Sequence, residues 1–392
     1  MNDAWRAAAL ATAAVLAATV AGAQVPWSKV PSNPVMAPSH DFFEALAIGQ
    51  PAVLPDVDGT LRLWYAARGG DGHGRILAAR SMDGGLSWQR ENGGLPVLDT
   101  GPEGAWDALL LDTPEVVRDE SGYRLYYYGA SSHDSSGAAI GLAVSGDGLH
   151  FERRGGGPVL RPGPPGSWDG AWVESPAVIP AARNGRDFMW YTGVDASGFV
   201  RIGLATSPDG VHWTKWQGNP VLDLGAPGGW EDVWVAVPGV IGWRGGFLMV
   251  YSAVGSGDLA DGSPDDIGVG LAFSIDGIDW HRYPGNPVLT TSSPPYDPAV
   301  DAHGPWAPDL VLEAGGRNLL MLFESGAGLD LARAPVEPAR RPGGRSGRSR
   351  LHRPPPRETG PGEYPDPGGR CPTGMAPPRR VSLNLERRRI VE

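Results

Sequence analysis

The sequence predicts an all-β fold: a five-bladed β-propeller of four-stranded antiparallel blades, closed by the N-terminal strand. The first observation is a Pro-Val motif that recurs five times, with prolines 62, 62, 62 and 67 residues apart. A fixed spacing of this kind indicates one repeated unit. The copies are Asn33-Pro34-Val35, Leu95-Pro96-Val97, Gly157-Pro158-Val159, Asn219-Pro220-Val221 and Asn286-Pro287-Val288.

The second observation is the order of strand and turn signals inside each unit. A first strand begins at a proline, a second strand is rich in aromatic residues, and an Asp-Gly turn precedes a fourth strand. Such a unit cannot bury both of its faces alone, so neighbouring units must stack as propeller blades. The first-strand prolines are Pro51, Pro114, Pro176, Pro238 and Pro308.

The third observation concerns the two ends of the repeat array. The fifth unit has no fourth strand, whereas Trp27-Ser28-Lys29-Val30 resembles the fourth strand that starts at Trp213. The N-terminal segment is therefore predicted to complete the last blade and to remove an exposed sheet edge. This places the propeller at residues 24–335.

The segments outside the propeller have different compositions. Residues 1–23 are Ala-rich and end in Ala21-Gly22-Ala23, which indicates a signal peptide and a secreted or periplasmic protein. An uncleaved membrane anchor is the alternative; no other membrane span is predicted. Residues 336–392 are rich in Pro, Gly and Arg and are predicted to be a disordered tail. Cys371 is the only cysteine, so no disulfide holds the propeller.

Charge restricts the class of ligand. The chain carries a formal net charge of −11, and the tail contains more Arg than acidic residues, so the propeller is still more acidic. This excludes nucleic acid as a favoured partner. An acidic propeller with many of the 15 Trp residues suits a neutral carbohydrate as its ligand. We expect the protein to be a monomer.

The repeat separates scaffold residues from site residues, because a polar residue found in every blade serves the fold. An acid stands seven residues before each first-strand proline, and we interpret these acids as hydrogen-bond acceptors that fix loops. They are Glu44, Asp107, Asp169, Glu231 and Asp301.

The symmetry breaks next to the prolines. Two residues before them stand Gly49, Asp112, Glu174, Ala236 and Trp306, and one residue after them stand Ala52, Glu115, Ala177, Gly239 and Asp309. Carboxylates brought together at a channel mouth raise one another's pKa, as a general acid requires. The alternative is a solvated acidic pore or a Ca²⁺ or Na⁺ site in the channel; no other cofactor is predicted.

Five blades with acids at the first-strand starts resemble the fold shared by glycoside hydrolase families 43, 32, 68 and 130, with family 43 the most similar. Glu174-Ser175-Pro176 resembles the third-blade Glu-Gly-Pro of family 43 and Glu-Cys-Pro of family 32. The resemblance covers Trp27 to about Pro335 and implies that Glu174 is the general acid. It further implies that Asp112 or Glu115 tunes the acid, although Trp306-Ala307-Pro308-Asp309 carries in blade five a motif that family 43 has in blade two.

Blade one departs from these families. They place an Asp that serves as base or nucleophile beside the first-strand proline, whereas this chain has Gly49-Gln50-Pro51. Asp41 or Glu44 is the candidate substitute. Residues predicted to contact substrate are Trp306, Trp172, Asp309, His303 and Gln50.

Two functions remain open from the sequence. The first is a glycosidase acting on a plant or microbial glycan of the arabinoside, xyloside or fructoside class. The second is a noncatalytic carbohydrate-binding propeller that lacks the blade-one base. A carboxylate opposite Glu174 across an open pocket would favour the enzyme.

Overall fold

The computed structural model describes residues 26–39, 41–56, 58–135, 137–257, 267–295, 304–313 and 315–336. The predicted signal peptide, the predicted tail, Asp301 and His303 lie outside this part of the chain. The described residues form β-sheets with only isolated helical turns, which confirms the all-β prediction. The strand pairs of these residues are antiparallel except for one parallel pairing between Val200 and Trp234. No helix among the described residues has the length and hydrophobicity of a membrane span.

Each first-strand proline lies in one group of consecutive strands, and each such group is called a repeat. A short strand, β1 (Ser28–Lys29), precedes them. Repeat one contains β2 (Ala47–Pro55), β3 (Leu61–Arg68), β4 (Gly74–Ser81) and β5 (Gln89–Arg90). Repeat two contains β6 (Leu110–Asp119), β7 (Gly122–Ala130), β8 (Ala139–Ser145) and β9 (Glu152–Arg153).

The later repeats begin with the same three strands, but repeat four ends with two short strands and repeat five has no fourth strand of its own. Repeat three contains β10 (Trp172–Arg183), β11 (Arg186–Val194), β12 (Val200–Ser207) and β13 (Thr214–Lys215). Repeat four contains β14 (Trp234–Trp243), β15 (Gly246–Val254), β16 (Gly268–Ser274), β17 (His281–Arg282) and β18 (Leu289–Thr290). Repeat five contains β19 (Trp306–Leu312), β20 (Asn318–Ser325) and β21 (Gly328–Pro335). Two 3-10 turns lie at Phe42–Glu44 and Asn92–Gly94.

Strand β1 belongs to the sheet of repeat five. It pairs antiparallel with β21, with Ser28 opposite Arg333 and Lys29 opposite Ala332. Asn33 of the first Pro-Val motif exchanges two hydrogen bonds with the backbone of Leu331, as Asn219 does with Leu204 inside repeat three. The N-terminal segment therefore occupies in repeat five the place that the end of a repeat occupies elsewhere.

The five first strands lie side by side in a ring. Strand β2 contacts β6, β6 contacts β10, β10 contacts β14, β14 contacts β19, and β19 contacts β2. Each of these strands has a register shift at its proline, and the residue before the proline has a positive φ between 41° and 52°. These bulges re-aim the neighbouring side chains. The positive-φ residues are Gln50, Thr113, Ser175, Val237 and Ala307.

Neighbouring repeats are held together at the Asp-Gly turns. The indole of Trp64 in repeat one donates to the carbonyl of Gly148 in repeat two, and Trp190 in repeat three donates to Gly277 in repeat four. The hydroxyl of Tyr126 makes the equivalent bond to Gly210. Each bond fixes a buried aromatic ring of one repeat against the turn of the next.

The acids seven residues before the prolines are scaffold residues, as predicted, wherever the structure describes them. Each is buried and accepts a hydrogen bond from a tyrosine of its own repeat and contacts a cation near the repeat's end. The sets are Glu44 with Tyr65 and Arg90, Asp107 with Tyr127 and Arg153, Asp169 with Tyr191 and Lys215, and Glu231 with Tyr251 and Arg282.

We expect the Asp107→Ala variant to lose about 2 kcal/mol of unfolding free energy, because it leaves the buried Tyr127 hydroxyl and the Arg153 guanidinium without their acceptor. Urea unfolding of full-length protein measures this loss. Glu120→Ala, at an exposed turn, is the control and should change the free energy by less than about 0.5 kcal/mol. Equal stability of the two variants would contradict the scaffold role.

Candidate active site

The bulges bring Asp112 and Glu174 to equivalent places on neighbouring first strands. Asp112 lies opposite Tyr128 on β7, and Glu174 lies opposite Thr192 on β11. Both carboxylates are half-buried, and the charge of Asp112 acts on Glu174. The two residues that the sequence indicated in repeats two and three therefore lie near each other on contacting strands.

Glu174 has the electrostatic environment of a carboxylic acid that keeps its proton near neutral pH. Desolvation, with a smaller contribution from the negative charge of Asp112, raises the pKa of Glu174 to about 7. A hydrogen bond from the Trp172 side chain opposes this shift. A protonated carboxyl at this pH can give its proton to a leaving oxygen.

Asp112 is surrounded by groups with opposing effects. Desolvation raises the pKa of Asp112 above its ordinary value overall, although the N–H of Thr113, at 2.8 Å, and the positive charge of Arg68 act to lower it. Arg68 is the last residue of β3 in repeat one. The ionised form of Asp112 thus has a hydrogen-bond donor and a cation nearby, and its negative charge contributes to the raised pKa of Glu174.

A third carboxylate, Glu324, lies against the bulge of β2 and within range of the charge of Asp112, and it is not among the predicted site residues. Glu324 is on β20, where it pairs with Trp306 of β19. Its Oε2 accepts the N–H of Gln50 at 3.2 Å. Desolvation, followed by the charge of Asp112, raises the pKa of Glu324 to about 8. Glu324 therefore interacts with the same Asp112 as Glu174 does.

A sequence signal for Glu324 exists on the second strands. The residues opposite the five symmetry-breaking positions are Ala66, Tyr128, Thr192, Ser252 and Glu324. Thr192 and Ser252 use their hydroxyls to accept the positive-φ N–H of the next repeat, at Val237 and Ala307. Glu324 is the one carboxylate among these five residues. Comparing equivalent positions of the second strands, as was done for the first strands, would therefore identify it.

Glu115 and Asp309 lie deeper, in a small cavity bounded by the five first-strand prolines. The cavity volume is about 20 Å³, enough for a single water. Glu115 accepts the N–H of Val178 at 2.8 Å, and Asp309 accepts that of Val53 at 2.6 Å. These bonds join neighbouring first strands, so both acids form the floor of the ring.

The floor acids repel each other electrostatically. Desolvation and the charge of Asp309 raise the pKa of Glu115 well above its ordinary value, and desolvation raises that of Asp309 to about 7. The Ser175 hydroxyl, 3% exposed, borders the same cavity and has no hydrogen-bond partner among the described residues. Within that part of the chain, no group of three or more His, Cys, Asp or Glu is arranged to hold a metal ion.

The two candidate bases of the repeat-one loop have other environments. Glu44 is 1% exposed, and its carboxylate accepts hydrogen bonds from Tyr65, Arg90 and the N–H of Ser39. Burial acts to raise the pKa of Glu44, but these hydrogen bonds, led by that of Arg90, lower it overall. Asp41 is exposed and bonds locally to Ser39. Neither contact pattern connects these residues to Glu174.

Three tryptophans belong to one apolar cluster, and one of them, Trp172, hydrogen-bonds to Glu174. Trp172, Trp234 and Trp306 are half-buried and pack around Ala236. The rings of Trp234 and Trp306 meet edge to face, with centroids 6.2 Å apart. Trp172 and Trp306 were predicted substrate contacts, and Trp234 is an addition. Gln50 borders the floor cavity, with its N–H directed to Glu324.

A larger hollow opens on the face where the first strands begin. Its volume is about 460 Å³, and its lining includes His73, Glu103, Leu109 and Ser131. Antiparallel order places the β3–β4 and β7–β8 loops, which carry His73 and Ser131, at the same end as the start of β6. The hollow therefore shares its face with the carboxylate pocket.

Comparison with solved structures identifies the fold. A glycoside hydrolase from Parabacteroides distasonis, described as putative, superposes with a TM-score of 0.62 at 15% identity, over 81% of this chain and 99% of that one. A thermostable family-43 glycoside hydrolase gives a TM-score of 0.56 at 20% identity, over 80% and 97%. The β-1,2-mannobiose phosphorylase from Listeria innocua gives 0.59 at 15% identity, over 79% and 96%.

No protein-family model matches the sequence, and the search of curated proteins found no match. At these identities the structural likeness establishes the fold and not the reaction. The resemblance that the sequence suggested is thereby confirmed at the level of architecture: the chain has the β-propeller fold shared by these glycoside hydrolases.

Proposed function

We propose that this chain is a five-bladed propeller glycosidase in which Glu174 is the general acid. The five repeats are its blades, and β1 closes the fifth blade by pairing with β21. The single observation that carries the reaction is the raised pKa of Glu174, about 7, in a half-buried pocket beside Asp112. A scaffold requires no protonated carboxyl at this place, because Ala236 stands at the equivalent position of repeat four.

In the proposed reaction Glu174 gives its proton to the glycosidic oxygen as the bond to the anomeric carbon breaks. Trp172 holds the Glu174 carboxylate by a hydrogen bond, which strengthens as the carboxylate becomes ionised. Asp112 keeps the pKa of Glu174 high before the reaction and stabilises positive charge on the sugar ring during it. Arg68 in turn favours the ionised form of Asp112.

The substrate we propose is a neutral plant or microbial glycan of the arabinoside, xyloside or fructoside class. Trp172, Trp234 and Trp306 provide apolar ring surface next to the acid, and sugar rings pack on such surfaces. Three nearby carboxylates disfavour an anionic sugar. The hollow of about 460 Å³ on the same face has room for further sugar units.

We further propose that the propeller comprises residues 24–335, functions as a monomer, and is secreted or periplasmic after removal of residues 1–23. The alternative function is a noncatalytic carbohydrate-binding propeller. It would keep the tryptophans and the acidic pocket and would bind sugar without turnover.

The deciding experiment incubates full-length protein with aryl and oligomeric arabinosides, xylosides, fructosides and mannosides, each with and without inorganic phosphate. Chromatography detects released sugars, and calorimetry measures binding of the same oligosaccharides. Sugar release in water supports the glycosidase, and release that requires phosphate indicates a phosphorylase. Binding without release would replace the proposal with the noncatalytic propeller.

The pH dependence of kcat/KM should show an alkaline limb between about pH 7 and pH 8. Glu174 must be protonated to act as the acid, and its pKa is about 7, so activity falls once the pH has risen above this range. Initial rates between pH 4 and pH 10 at low substrate concentration measure the limb. An alkaline limb below about pH 5, the ordinary range of a carboxyl, would contradict the assignment.

A further inference from the structure

We propose that Glu324 is the general base of this site and takes the place of the carboxylate that repeat one lacks. The inference rests on the proposed glycosidase function and assigns the residue that activates water. It is drawn from the contact between β20 of repeat five and the bulge of β2 in repeat one.

The carboxylate of Glu324 occupies the space that a side chain at position 49 would fill. A Cβ built on Gly49 would stand 2.5 Å from the carboxyl carbon of Glu324 and still closer to its Oε2. Position 49 is the repeat-one equivalent of Asp112 and Glu174, because all three stand two residues before a first-strand proline. A glycine there leaves the room that the longer Glu324 side chain enters from the next strand.

Scaffold needs alone do not explain a glutamate at this position. The N–H of Gln50 requires an acceptor, and Glu324 supplies it. At the equivalent places the Thr192 and Ser252 hydroxyls accept the N–H groups of Val237 and Ala307 at 2.9 Å. A neutral hydroxyl is therefore a sufficient acceptor for the backbone N–H at the bulge. Burying a carboxylate beside Asp112 lowers the stability of the fold without a structural need for it.

The three carboxylates follow the order of the repeats around the ring. Glu324 fills the position of repeat one, Asp112 stands in repeat two, and Glu174 stands in repeat three. The charge of Asp112 raises the pKa of both its neighbours. Asp112 thus separates the base from the acid, as in an inverting site, where a water and the sugar lie between two carboxyls about 6.5–9.5 Å apart.

The step balances with water as the only co-reactant. Glu324 removes a proton from a water whose oxygen forms a bond to the anomeric carbon, while the bond from that carbon to the leaving oxygen breaks. The leaving oxygen takes the proton of Glu174. The products are two hydroxyl compounds with an inverted anomeric centre, and proton exchange with solvent restores Glu174 and Glu324.

The protonation states set the fraction of active molecules. The productive form has Glu174 protonated and Glu324 ionised, whereas the pKa of Glu174 is about 7 and that of Glu324 about 8. Between these values the productive form is about one tenth as abundant as the form with the proton on Glu324. Activity should therefore be highest at about pH 7.5.

The test compares full-length wild type with Glu324→Gln, Glu324→Ser and the exposed control Glu152→Gln on the substrate that wild type hydrolyses. The serine variant reproduces the Ser252 arrangement and keeps an acceptor for Gln50. We expect kcat to fall at least about 100-fold in both Glu324 variants and to stay unchanged in the control. A Glu324 variant within about threefold of wild type would overturn the base role and leave the glycosidase proposal standing. No turnover by wild type would overturn both.

A double variant that moves the carboxylate from position 324 to position 49 tests whether the two side chains occupy the same space. In the double variant Gly49→Asp/Glu324→Ser, the serine vacates the room and an aspartate enters it from β2. Gly49 does not have a positive φ, so its backbone accepts a side chain. We expect the double variant to recover at least about tenfold over Glu324→Ser. A folded double variant with no recovery would contradict the shared position.

A measurement without substrate tests the ionisation of Glu324. The pKa of Glu324 in the folded protein is about 8, above its ordinary value of 4.5. The contribution of protonated Glu324 to folding stability is therefore fully present below about pH 4.5 and is lost as the pH rises through about 8. Glu324→Gln should therefore raise Tm by at least about 3 °C at pH 9 and change it little at pH 5. An equal effect at both pH values would overturn an ionisable base at this place.

Discussion

Replacing Glu174 with glutamine is expected to reduce kcat on a glycoside with an alkyl leaving group by about 10²–10⁴-fold. Glutamine keeps the shape of the side chain and an acceptor for Trp172, but it has no acidic proton for the glycosidic oxygen. Binding should change little, since the variant preserves the pocket. Steady-state kinetics with calorimetric Kd values for the same substrate separate the two effects.

The matched control for this prediction is Glu152→Gln, which makes the same chemical change at an exposed position of β9. It should keep the wild-type kcat and the wild-type Kd. If Glu174→Gln retains wild-type kcat, Glu174 is not the general acid. If Glu174→Gln loses both binding and thermal stability, the residue has a structural role instead.

The second large effect is expected for Trp190→Ala, which should lower the unfolding free energy by about 3–5 kcal/mol. Trp190 is fully buried in repeat three, and its indole donates to Gly277 of repeat four at 2.9 Å. Its ring also contacts Phe247 and Trp280 of repeat four. The substitution leaves a cavity between two repeats and removes the bond that fixes the turn.

Chemical denaturation monitored by circular dichroism measures this loss. Trp216→Ala is the matched control, because Trp216 is 43% exposed in the loop after β13, and its removal should cost less than about 1 kcal/mol. A small effect at Trp190 would contradict the view that neighbouring repeats are held together by their aromatic second strands.

Much of the architecture was predictable because each unit repeats its own signals. The Pro-Val motif marks where the chain returns to the third strand: Leu98, Leu160 and Leu222, each the residue after a motif, bridge to Ile76, Ile140 and Ile202. The pairing of β1 with β21 agrees with the predicted match between Trp27–Val30 and the strand at Trp213. The scaffold acids were separable because they occur in every repeat.

The candidate site was predictable only in part. Asp112 and Glu174 lie on the strands where the repeat register places them, so reading along one strand found them. Glu324 reaches the N–H of Gln50, 274 residues away in sequence, through a contact between the second strand of one repeat and the bulge of the next. Comparing the repeats can identify Glu324 as unusual, but the pattern of a single strand does not show which residue of another repeat it contacts. Asp41 and Glu44 were the predicted substitutes because they are the acids close to Gly49 in sequence.

The predicted substrate contacts divide in the same way. Trp172 and Trp306 belong to one apolar cluster near the starts of their first strands. Asp309, also a predicted substrate contact, accepts the N–H of Val53 next to the first-strand prolines. The bulge shifts the strand register between Trp306 and Asp309, so their side chains do not follow the alternation of a regular strand.

The most direct test of the account compares Glu174→Gln and Glu324→Gln on two aryl glycosides that differ only in leaving group, one nitrophenyl and one dinitrophenyl. A good leaving group needs no proton, so Glu174→Gln should recover most of the wild-type rate with the dinitrophenyl substrate. Glu324→Gln should stay at least about 100-fold slow with both, because attack by water still needs the base. Equal losses for both variants on both substrates, or unimpaired turnover in either, would contradict the assignment of acid and base.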